Sequence, residues 1–421
     1  MRLLRRLRRL FRRPPRLCLF SHSAELAGAE RSLLDLVREL VADHAVSCTV
    51  VLPTFGPLAV KLEAAGANCI VASYDWWCTL RDDRLINTEK VERLRRGAVA
   101  VIGLLPQLRL LDPDVIWTQT LVIPWGAVAA ALLKKPHIWS VCEYGERDHD
   151  LRFFVPFKHV LADIVAGSDL IYTPSQAIGS TLFPQLPAGR VRTLYRHAPL
   201  PARIDGGGDR HYRRLGAVRL AMFASLDVSK GQADAIGAVG QLTARGRDVE
   251  LVLAGYDREG AYRDELEQLA QRNKCAGRVH FLGFLPDPYP TLKAADVVLI
   301  CSRSEAFGRV AVEAMRLGKA VVYPAAGSFP EFMQDGVTGL AYKPGHVAGL
   351  AARIEQLIDH PEQARAIAAA GKAAAGGLFT AHRYGGEVYR AVSALRRAGP
   401  GQAQMPEIIA PYLQEARLRM H

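Results

Sequence analysis

Residues 302–315 read SRSEAFGRVAVEAM and directly follow an apolar run at 297–301. The pattern predicts a buried strand, a loop and then a helix, so that free backbone N–H groups and the positive end of the helix dipole point above a sheet. That arrangement suits a diphosphate, and Gly308 allows a ligand to approach the backbone closely. Glu305 precedes the helix and Glu313 lies within it, so the two carboxylates would reach different parts of one elongated ligand, one a sugar and the other a ribose. For two glutamates taken alone, a solvated helix with salt bridges is the simpler interpretation.

Strand-like segments alternate with amphipathic segments on both sides of this stretch, as expected for repeated βα units on parallel sheets. Residues 31–41 show the helical period clearly, with five apolar residues on one face. The predicted strands of the first half are 17–20, 48–53, 69–72, 114–119, 138–141, 170–173 and 191–195. Those of the second half are 220–225, 251–254, 279–283, 297–301 and 320–323.

The composition changes at residues 198–209, where prolines and three consecutive glycines interrupt the periodic pattern. We therefore predict an α/β protein with two doubly wound domains, which bind ligands beyond the carboxyl ends of their strands and face a central cleft. The predicted segments are a basic N-terminal segment at 1–16, a first Rossmann-like domain at 17–200, a linker at 201–215, a second Rossmann-like domain at 216–375, and a C-terminal helical segment at 376–421 that could pack back on the first domain.

The overall composition is that of an ordinary folded protein, with 421 residues, 49% of them apolar and 23% charged. The formal net charge is +12, but residues 1–16 hold eight arginines, which leaves +4 for the rest of the chain. No basic stripe with interleaved aromatic residues occurs elsewhere, so nucleic acid is not an expected partner. The seven cysteines are scattered without paired spacing, which fits a reducing cytosol. The longest nearly uncharged run, 121–133, contains Pro124 and is too short to span a membrane.

The arginine-rich start places leucines and Phe11 at helical spacings, with arginines filling the opposite face. Such a helix can bury a narrow apolar stripe at a lipid surface, and each arginine near anionic headgroups adds about 1 kcal/mol of attraction. We therefore expect residues 1–16 to bind an anionic membrane surface; the alternative is a disordered, solvated basic tail. The segment has no uninterrupted apolar centre and no small-residue cleavage site, so the expected location is the cytoplasm, at the inner face of the membrane.

The stretch at 302–315 resembles the retaining glycosyltransferases of family 4, which have the GT-B fold, and Glu305-x7-Glu313 matches their signature. Residues 229–232 resemble the segment that carries the diphosphate-binding lysine of the family, here Lys230. Further segments that resemble the family, in the right order, are 253–257, 280–284 at the strand whose end holds the nucleotide base, 294–297 and 335–340. The resemblance covers residues 219–345.

The first domain resembles the family more loosely. Residues 21–30 are similar to an N-terminal Gly-Gly-Ala-Glu loop in which Ala27 replaces one glycine. Gly28 would let backbone N–H groups approach the donor phosphates or the acceptor, although a tight βα turn would also explain a glycine here. Residues 139–145 resemble the strand end that faces the acceptor, where many relatives have a histidine before the acid and this chain has Cys142. The acceptor-side candidates are therefore His22 and Glu143.

Two further departures from the family pattern affect the expectations. Relatives often have an arginine five residues before the lysine, where this chain has Ser225, so one phosphate-binding cation is missing. Lys230 would then carry more of the diphosphate charge, helped by the helix N-terminus and by Arg309 or Arg303; alternatively, the protein is a weak or inactive member. Residues 195–197 replace the usual Asn-Gly turn after the last strand of the first domain, and no function is assigned to them.

The resemblance implies a metal-independent, hexosyltransferase-type enzyme that moves a sugar from a nucleoside-diphosphate donor to an acceptor hydroxyl with retention. Glu305 and Lys230 would be catalytic, and Gly28, Ser225, Lys230, Phe307, Gly308, Arg309 and Glu313 would bind the donor. Together with the basic start, it suggests a lipid-linked or glycan acceptor in envelope polysaccharide or glycolipid synthesis. The sugar, the nucleotide base and the acceptor are left open.

The sequence patterns of other functional classes are missing. The sequence has no glycine pattern for a dinucleotide cofactor, and its twelve histidines show no metal-ligand spacing. Asp112 and Asp114 flank Pro113 just before a predicted strand, which is typical of a turn and not of a metal site. We therefore expect no cofactor and no metal. The alternative function is a non-catalytic nucleotide-sugar-binding or scaffold protein on the same fold, while a GT-B epimerase is disfavoured because the context of Glu305 and Glu313 points to transfer.

Overall fold

The computed structural model describes residues 13–80, 85–146, 151–257 and 260–419. Its strands are β1 (Arg16–Phe20), β2 (Ser47–Leu52), β3 (Asn68–Val71), β4 (Cys78–Leu80), β5 (Val115–Gln119), β6 (His137–Ser140), β7 (Leu151–Phe153), β8 (Leu170–Thr173), β9 (Val191–Thr193), β10 (Val218–Phe223), β11 (Val249–Ala254), β12 (Val279–Gly283), β13 (Val297–Leu299), β14 (Ala320–Pro324) and β15 (Leu340–Tyr342).

The α-helices of the described residues are α1 (Gly28–His44), α2 (Pro57–Ala64), α3 (Asn87–Leu111), α4 (Trp125–Leu133), α5 (Phe157–Ala166), α6 (Gln176–Leu182), α7 (Gln232–Ala244), α8 (Ala261–Arg272), α9 (Tyr289–Ala294), α10 (Arg309–Arg316), α11 (Val347–Asp359), α12 (Pro361–Leu378), α13 (Ala381–Ala398) and α14 (Ala410–Arg419). None of them is both long enough and apolar enough to cross a membrane.

The chain divides into two compact units, and the first is discontinuous in sequence: it takes in residues up to His197 and again from Thr380 onward. Its seven-stranded parallel sheet has the order β3-β2-β1-β5-β6-β8-β9. The central strands are buried on both faces, as parallel strands between helical layers must be, and all five residues of β5 are buried. A two-stranded antiparallel ribbon, β4 with β7, is a separate sheet of this unit.

Helix α13 completes the core of the first unit. Its side chains Tyr384, Val388, Ala391 and Val392 are buried in the same apolar cluster as the inward face of α1 and the strands β1 and β2. Helix α14 packs on α3, where Arg95 and Glu415 form an ion pair with 2.7 Å between Nε and Oε2. Residues 380–419 are therefore an integral layer of the first unit.

The second unit comprises Ala198–Phe379. Its six-stranded parallel sheet has the order β12-β11-β10-β13-β14-β15. The order reverses direction at β10 and β13, and in doubly wound sheets the loops that leave two such strands open a crevice at their carboxyl ends. This crevice is the place at which the second unit can bind a ligand.

Some boundaries differ from the sequence-based expectations. Residues 201–215, predicted to be a linker, belong to the second unit and include a 3₁₀ helix at Gly208–His211. Gly208 packs so closely on α9 that a Cβ atom there would lie 1.9 Å from the carbonyl oxygen of Pro290. The backbone N–H groups of Arg213 and Arg214 donate to the buried Glu250 carboxylate. This glycine-rich segment was predicted to stay irregular. The lack of a side chain at Gly208 is instead what allows its close packing on α9.

Candidate active site

The loops that follow β10 and β13 touch at the carboxyl edge of the second sheet. The backbone N–H of Arg303 donates to the carbonyl of Ser229 at 2.8 Å. Gly231 has a φ of +75°, and a Cβ atom there would lie 2.3 Å from the carbonyl oxygen of Cys301. Glycine at this position therefore allows the two loops to lie in direct contact with each other.

Lys230 and Glu305, predicted as the catalytic pair, are brought together by this contact. The Lys230 Nζ atom lies 3.6 Å from Oε2 of Glu305, and the side chains are 15% and 24% exposed. Lys230 ends a short 3₁₀ turn that Asp227 caps through the N–H of Ser229. The ion pair lies at the ends of neighbouring strands, where a ligand can still reach it.

The loop before α10 is fixed by its backbone. Gly308 caps the helix with a φ of +75°, and a Cβ atom there would lie 2.4 Å from the ring of Phe329. The carbonyl of Glu305 accepts a hydrogen bond from the N–H of Ser328 at 3.1 Å. The Phe307 ring is buried against Phe379, with 5.6 Å between centroids. These contacts hold the backbone of residues 307–309 at the start of α10, where the first N–H groups of a helix lack intrahelical partners.

Glu313 lies one turn after Arg309 on α10, and the two side chains form an ion pair with 2.9 Å between Nε and Oε1. The hydroxyl of Tyr289, at the start of α9, donates to the same Oε1 at 3.2 Å. Burial and the negative charge of Glu313 raise the pKa of Tyr289 to about 12, so this hydroxyl keeps its proton.

The two arginines considered as replacements for the missing cation are engaged elsewhere. Arg309 pairs with Glu313, and Arg303 lies 3.4 Å from Oδ1 of Asp234 on α7. Ser225 lies on the loop after β10, and its carbonyl accepts a hydrogen bond from Gln232. In this structure Arg309 pairs with Glu313 and Arg303 with Asp234, so a contact of either arginine with a diphosphate stays a prediction.

The candidate residues of the first unit lie after β1 and β6. The His22 Nε2 atom is 3.1 Å from Oε1 of Glu30, which is buried. Burial works to raise the pKa of Glu30, but hydrogen bonds and charge, first those of His22, outweigh it, so the pKa lies below its ordinary value. Gly28 begins α1, and a Cβ atom there would meet nothing within 4 Å, which leaves space beside the backbone.

Cys142 and Glu143 lie just beyond the end of β6, in a cluster of buried polar groups. Glu143 accepts a hydrogen bond from the N–H of Leu121 at 3.1 Å. The guanidinium of Arg196, itself buried, lies 2.6 Å from Sγ of Cys142. Burial raises the pKa of Cys142, an effect that the charge of Arg196 only partly offsets, so Cys142 is a neutral thiol. No function was assigned to Arg196 from the sequence. The feature that could have pointed to it is an arginine in an apolar context after β9.

The described residues include no group of three or more histidine, cysteine or acidic side chains that could hold a metal ion. Asp112 ends α3 in a left-handed conformation, and both Asp112 and Asp114 accept hydrogen bonds from Arg13. Asp112 and Asp114 thus lie in the short connection between α3 and β5.

Two family models match the chain. "Glycosyltransferase Family 4" matches residues 26–198, and "Glycosyl transferases group 1" matches residues 214–374. Curated relatives include glycogen synthase of Mycobacterium tuberculosis, 32% identical over 154 residues, which are 36% of each chain. Phosphatidyl-myo-inositol mannosyltransferase of Mycolicibacterium smegmatis is 30% identical over 210 residues, which are 48% of this chain and 50% of the relative. The chain spans about a third to a half of the length of the curated relatives it matches first.

Solved structures support the fold over almost the whole chain. Anabaena HepE, in complex with UDP and glucose, superposes with a TM-score of 0.67 at 22% identity, over 90% of this chain and all of that one. A glycosyltransferase from Rickettsia africae reaches a TM-score of 0.75 at 14% identity, over 92% of this chain and all of that one. With both sheets doubly wound and both family models matched in order, the chain belongs to the family 4 glycosyltransferases and has the GT-B fold.

Proposed function

We propose that this protein transfers a sugar from a nucleoside-diphosphate sugar to an acceptor hydroxyl, with retention at the anomeric carbon. The observation that carries the proposal is the Lys230–Glu305 pair, 3.6 Å apart where the loops after β10 and β13 meet. The pair places a cation and a carboxylate beside the start of α10, which suits a diphosphate joined to a polyhydroxylated ring.

The chemistry of transfer explains the need for both charges. Cleavage of the bond between sugar and phosphate builds negative charge on the departing diphosphate and positive charge on the sugar ring. Lys230 and the backbone N–H groups of residues 307–309 would stabilise the leaving group, and the Glu305 carboxylate would orient the sugar. Glu313 would hold the ribose hydroxyls, and the departing phosphate itself would help to deprotonate the incoming hydroxyl. In this proposal, transfer needs neither a metal nor a cofactor.

A donor screen followed by a transfer assay tests the proposal. Sugar nucleotides are first profiled by their effect on the thermal unfolding midpoint, beginning with UDP-glucose because HepE holds UDP and glucose. Donor consumption is then measured with and without acceptor, and again with EDTA. We expect at least one donor to stabilise the protein, acceptor-dependent consumption and no loss with EDTA. Binding without turnover would favour the scaffold alternative, and strict dependence on magnesium or manganese would contradict the proposed mechanism.

We further propose that the acceptor belongs to an envelope polysaccharide or a glycolipid, with His22 and Glu143 on the acceptor side. The names of relatives point in this direction, since they include a lipopolysaccharide core glycosyltransferase of Rhizobium meliloti and the mannosyltransferase of M. smegmatis. The protein would act in the cytoplasm, at the inner face of the membrane.

Membrane association through residues 1–16 is part of this proposal; residues 1–12 lie outside the described residues. Arg13 lies beside the ends of α3 and α4, where it pairs with Asp112 and Asp114. The same surface carries a shallow cavity of about 260 Å³ whose lining includes Arg109, Lys134 and Lys135. Leu110 at the end of α3 is 87% exposed. Asp112 lines the same cavity and pairs with Arg13 and Lys135, so the basic residues there outnumber the acid, and a net positive surface with an exposed leucine complements anionic lipid headgroups.

Vesicle binding tests the membrane proposal. Deletion of residues 1–12 should release the protein from anionic vesicles, and high salt should weaken binding because screening acts over roughly 10 Å at 0.1 M. Leu7→Glu should weaken binding more than its neighbour Arg8→Gln, because it removes buried apolar area and places a carboxylate at the acyl boundary. Transfer to short soluble acceptors should persist. If deletion leaves vesicle binding intact, the segment is not the anchor.

A further inference from the structure

Arg309 and Tyr289 converge on one oxygen of Glu313. The Arg309 Nε atom lies 2.9 Å from Oε1, and the Tyr289 hydroxyl lies 3.2 Å from the same atom. The side chains of Arg309 and Glu313 are only 17% and 9% exposed, so water screens their attraction weakly. The carboxylate is therefore held in one orientation, and both contacts are made through Oε1.

The pair is too costly to break for Arg309 to serve as a free phosphate-binding cation. If the guanidinium moved off Glu313 towards a diphosphate, it would give up a short, charge-assisted hydrogen bond from Nε. It would also leave Glu313 as a buried carboxylate without its nearest opposite charge, which is strongly unfavourable in a medium of low dielectric constant. An arginine that stays on Glu313 can still influence a nucleotide, because it fixes the group that meets the ribose.

We propose that Arg309 is a positioning residue for ribose recognition: it acts on the ribose hydroxyls of the donor through Glu313 and does not bind the diphosphate. The inference rests on the proposed function, in which Glu313 holds the ribose. In this inference, Arg309 favours the binding of ribonucleotides over deoxyribonucleotides. The negative charge of the diphosphate is then bound by Lys230 and the backbone N–H groups at the start of α10.

A comparison of three ligands tests this assignment. Dissociation constants for UDP, 2′,3′-dideoxy-UDP and inorganic pyrophosphate are measured by calorimetry with the intact protein and with Arg309→Leu, Arg309→Lys and Glu313→Gln; the same set built on ADP is measured in parallel. We expect Arg309→Leu to weaken the ribonucleotide about 10-fold and the dideoxy nucleotide and pyrophosphate less than about 2-fold. Arg309→Lys, which can still reach Glu313, should recover part of the loss.

The double variant gives a second, independent readout. If Arg309 acts only through Glu313, Arg309→Leu should cost no further affinity for the ribonucleotide in the Glu313→Gln background. Equal weakening of all three ligands by Arg309→Leu would overturn the inference and make Arg309 a phosphate-binding residue. Failure of the intact protein to bind either ribonucleotide would instead refute the proposed function. Thermal unfolding of each variant identifies any that fails to fold, in which case Arg309→Lys carries the comparison.

Discussion

Lys230 and Glu305 are charged residues that contribute little to packing, since both remain partly exposed at the edge of the sheet. We therefore expect Lys230→Ala and Glu305→Gln each to reduce transfer at least 100-fold while changing the free energy of unfolding by less than about 1 kcal/mol. Steady-state transfer rates and chemical denaturation measure the two effects.

Lys343→Ala is the matched control for Lys230→Ala, because Lys343 is an exposed lysine of the same unit that lies outside the proposed site. It should leave both transfer and stability unchanged. A Lys230→Ala variant whose loss of activity follows its loss of stability would show that the pair is structural, and the assignment would fail.

The sequence was informative about single residues where a local pattern places them, and less so where the partner is distant. Glu305 and Glu313 lie in a strand, loop and helix pattern, and the resemblance to the family singled out these two residues and Lys230. The contact of Arg196 with Cys142 joins residues 54 positions apart, and no local pattern predicts it. The pairing of Arg309 with Glu313 has helical spacing, yet which anion a half-buried arginine selects depends on the packing around it.

At the scale of elements, three of the four acids of helix α1, Asp35, Glu39 and Asp43, lie four residues apart on one face. Burial and the charge of Asp43 raise the pKa of Glu39 to about 7. One Glu39 oxygen, Oε2, is buried without a hydrogen-bond partner among the described residues, and the other lies 3.9 Å from Nδ1 of His197. Between the ordinary pKa of glutamate and about 7, Glu39 is therefore protonated in the folded protein and ionised in the unfolded chain.

The sign of the pH effect follows from this difference in proton binding. Because the folded state binds more protons between the ordinary pKa of glutamate and about 7, stability should fall as the pH rises through this range. Glu39→Gln should flatten that fall and stabilise the protein at pH 8 by about 1 kcal/mol, after allowance for solvent screening. Urea denaturation between pH 5 and pH 8 measures the effect, with the exposed Glu63→Gln as control. A variant curve parallel to that of the parent would contradict the prediction.

The strands of the two large sheets were mostly predictable, because parallel strands buried on both faces appear as short apolar runs. Each predicted strand overlaps an observed one, with ends that differ by two residues or fewer, and the helix predicted at 31–41 extends to Gly28–His44. The strands β4, β7 and β15 were missed; each has only three residues, which is too few to show a period, whereas the equally short β9 and β13 were found within the predicted runs 191–195 and 297–301.

At the scale of the whole molecule, the first unit depends on a helix that follows the entire second unit in sequence. Val388 on α13 is fully buried in the core of the first unit. Val388→Asp would place a charge in that core, so we expect loss of amide-exchange protection in β1, β2 and α1 while the strands of the second unit stay protected. Hydrogen exchange read by mass spectrometry separates the two units.

Arg390→Ala, on the exposed side of the same helix, should leave exchange unchanged in both units. Equal loss of protection in both units after Val388→Asp would mean that they unfold as one cooperative body. The family was predictable from sequence at this scale, and the comparisons confirm it. The exact limits of the units were not, because the return of the chain at Thr380 has no composition signal like the prolines and glycines near residue 200.

The discontinuity of the first unit also has a consequence for the nascent chain. A ribosome releases residues 198–379 before α13, so the second unit has its full set of strands while the first still lacks Tyr384, Val388, Ala391 and Val392. During that interval the apolar face of α1 lacks the cover that α13 later provides. The unit that is made first is thus the last to be completed, because α13 can cover α1 only after the whole second unit has been synthesised.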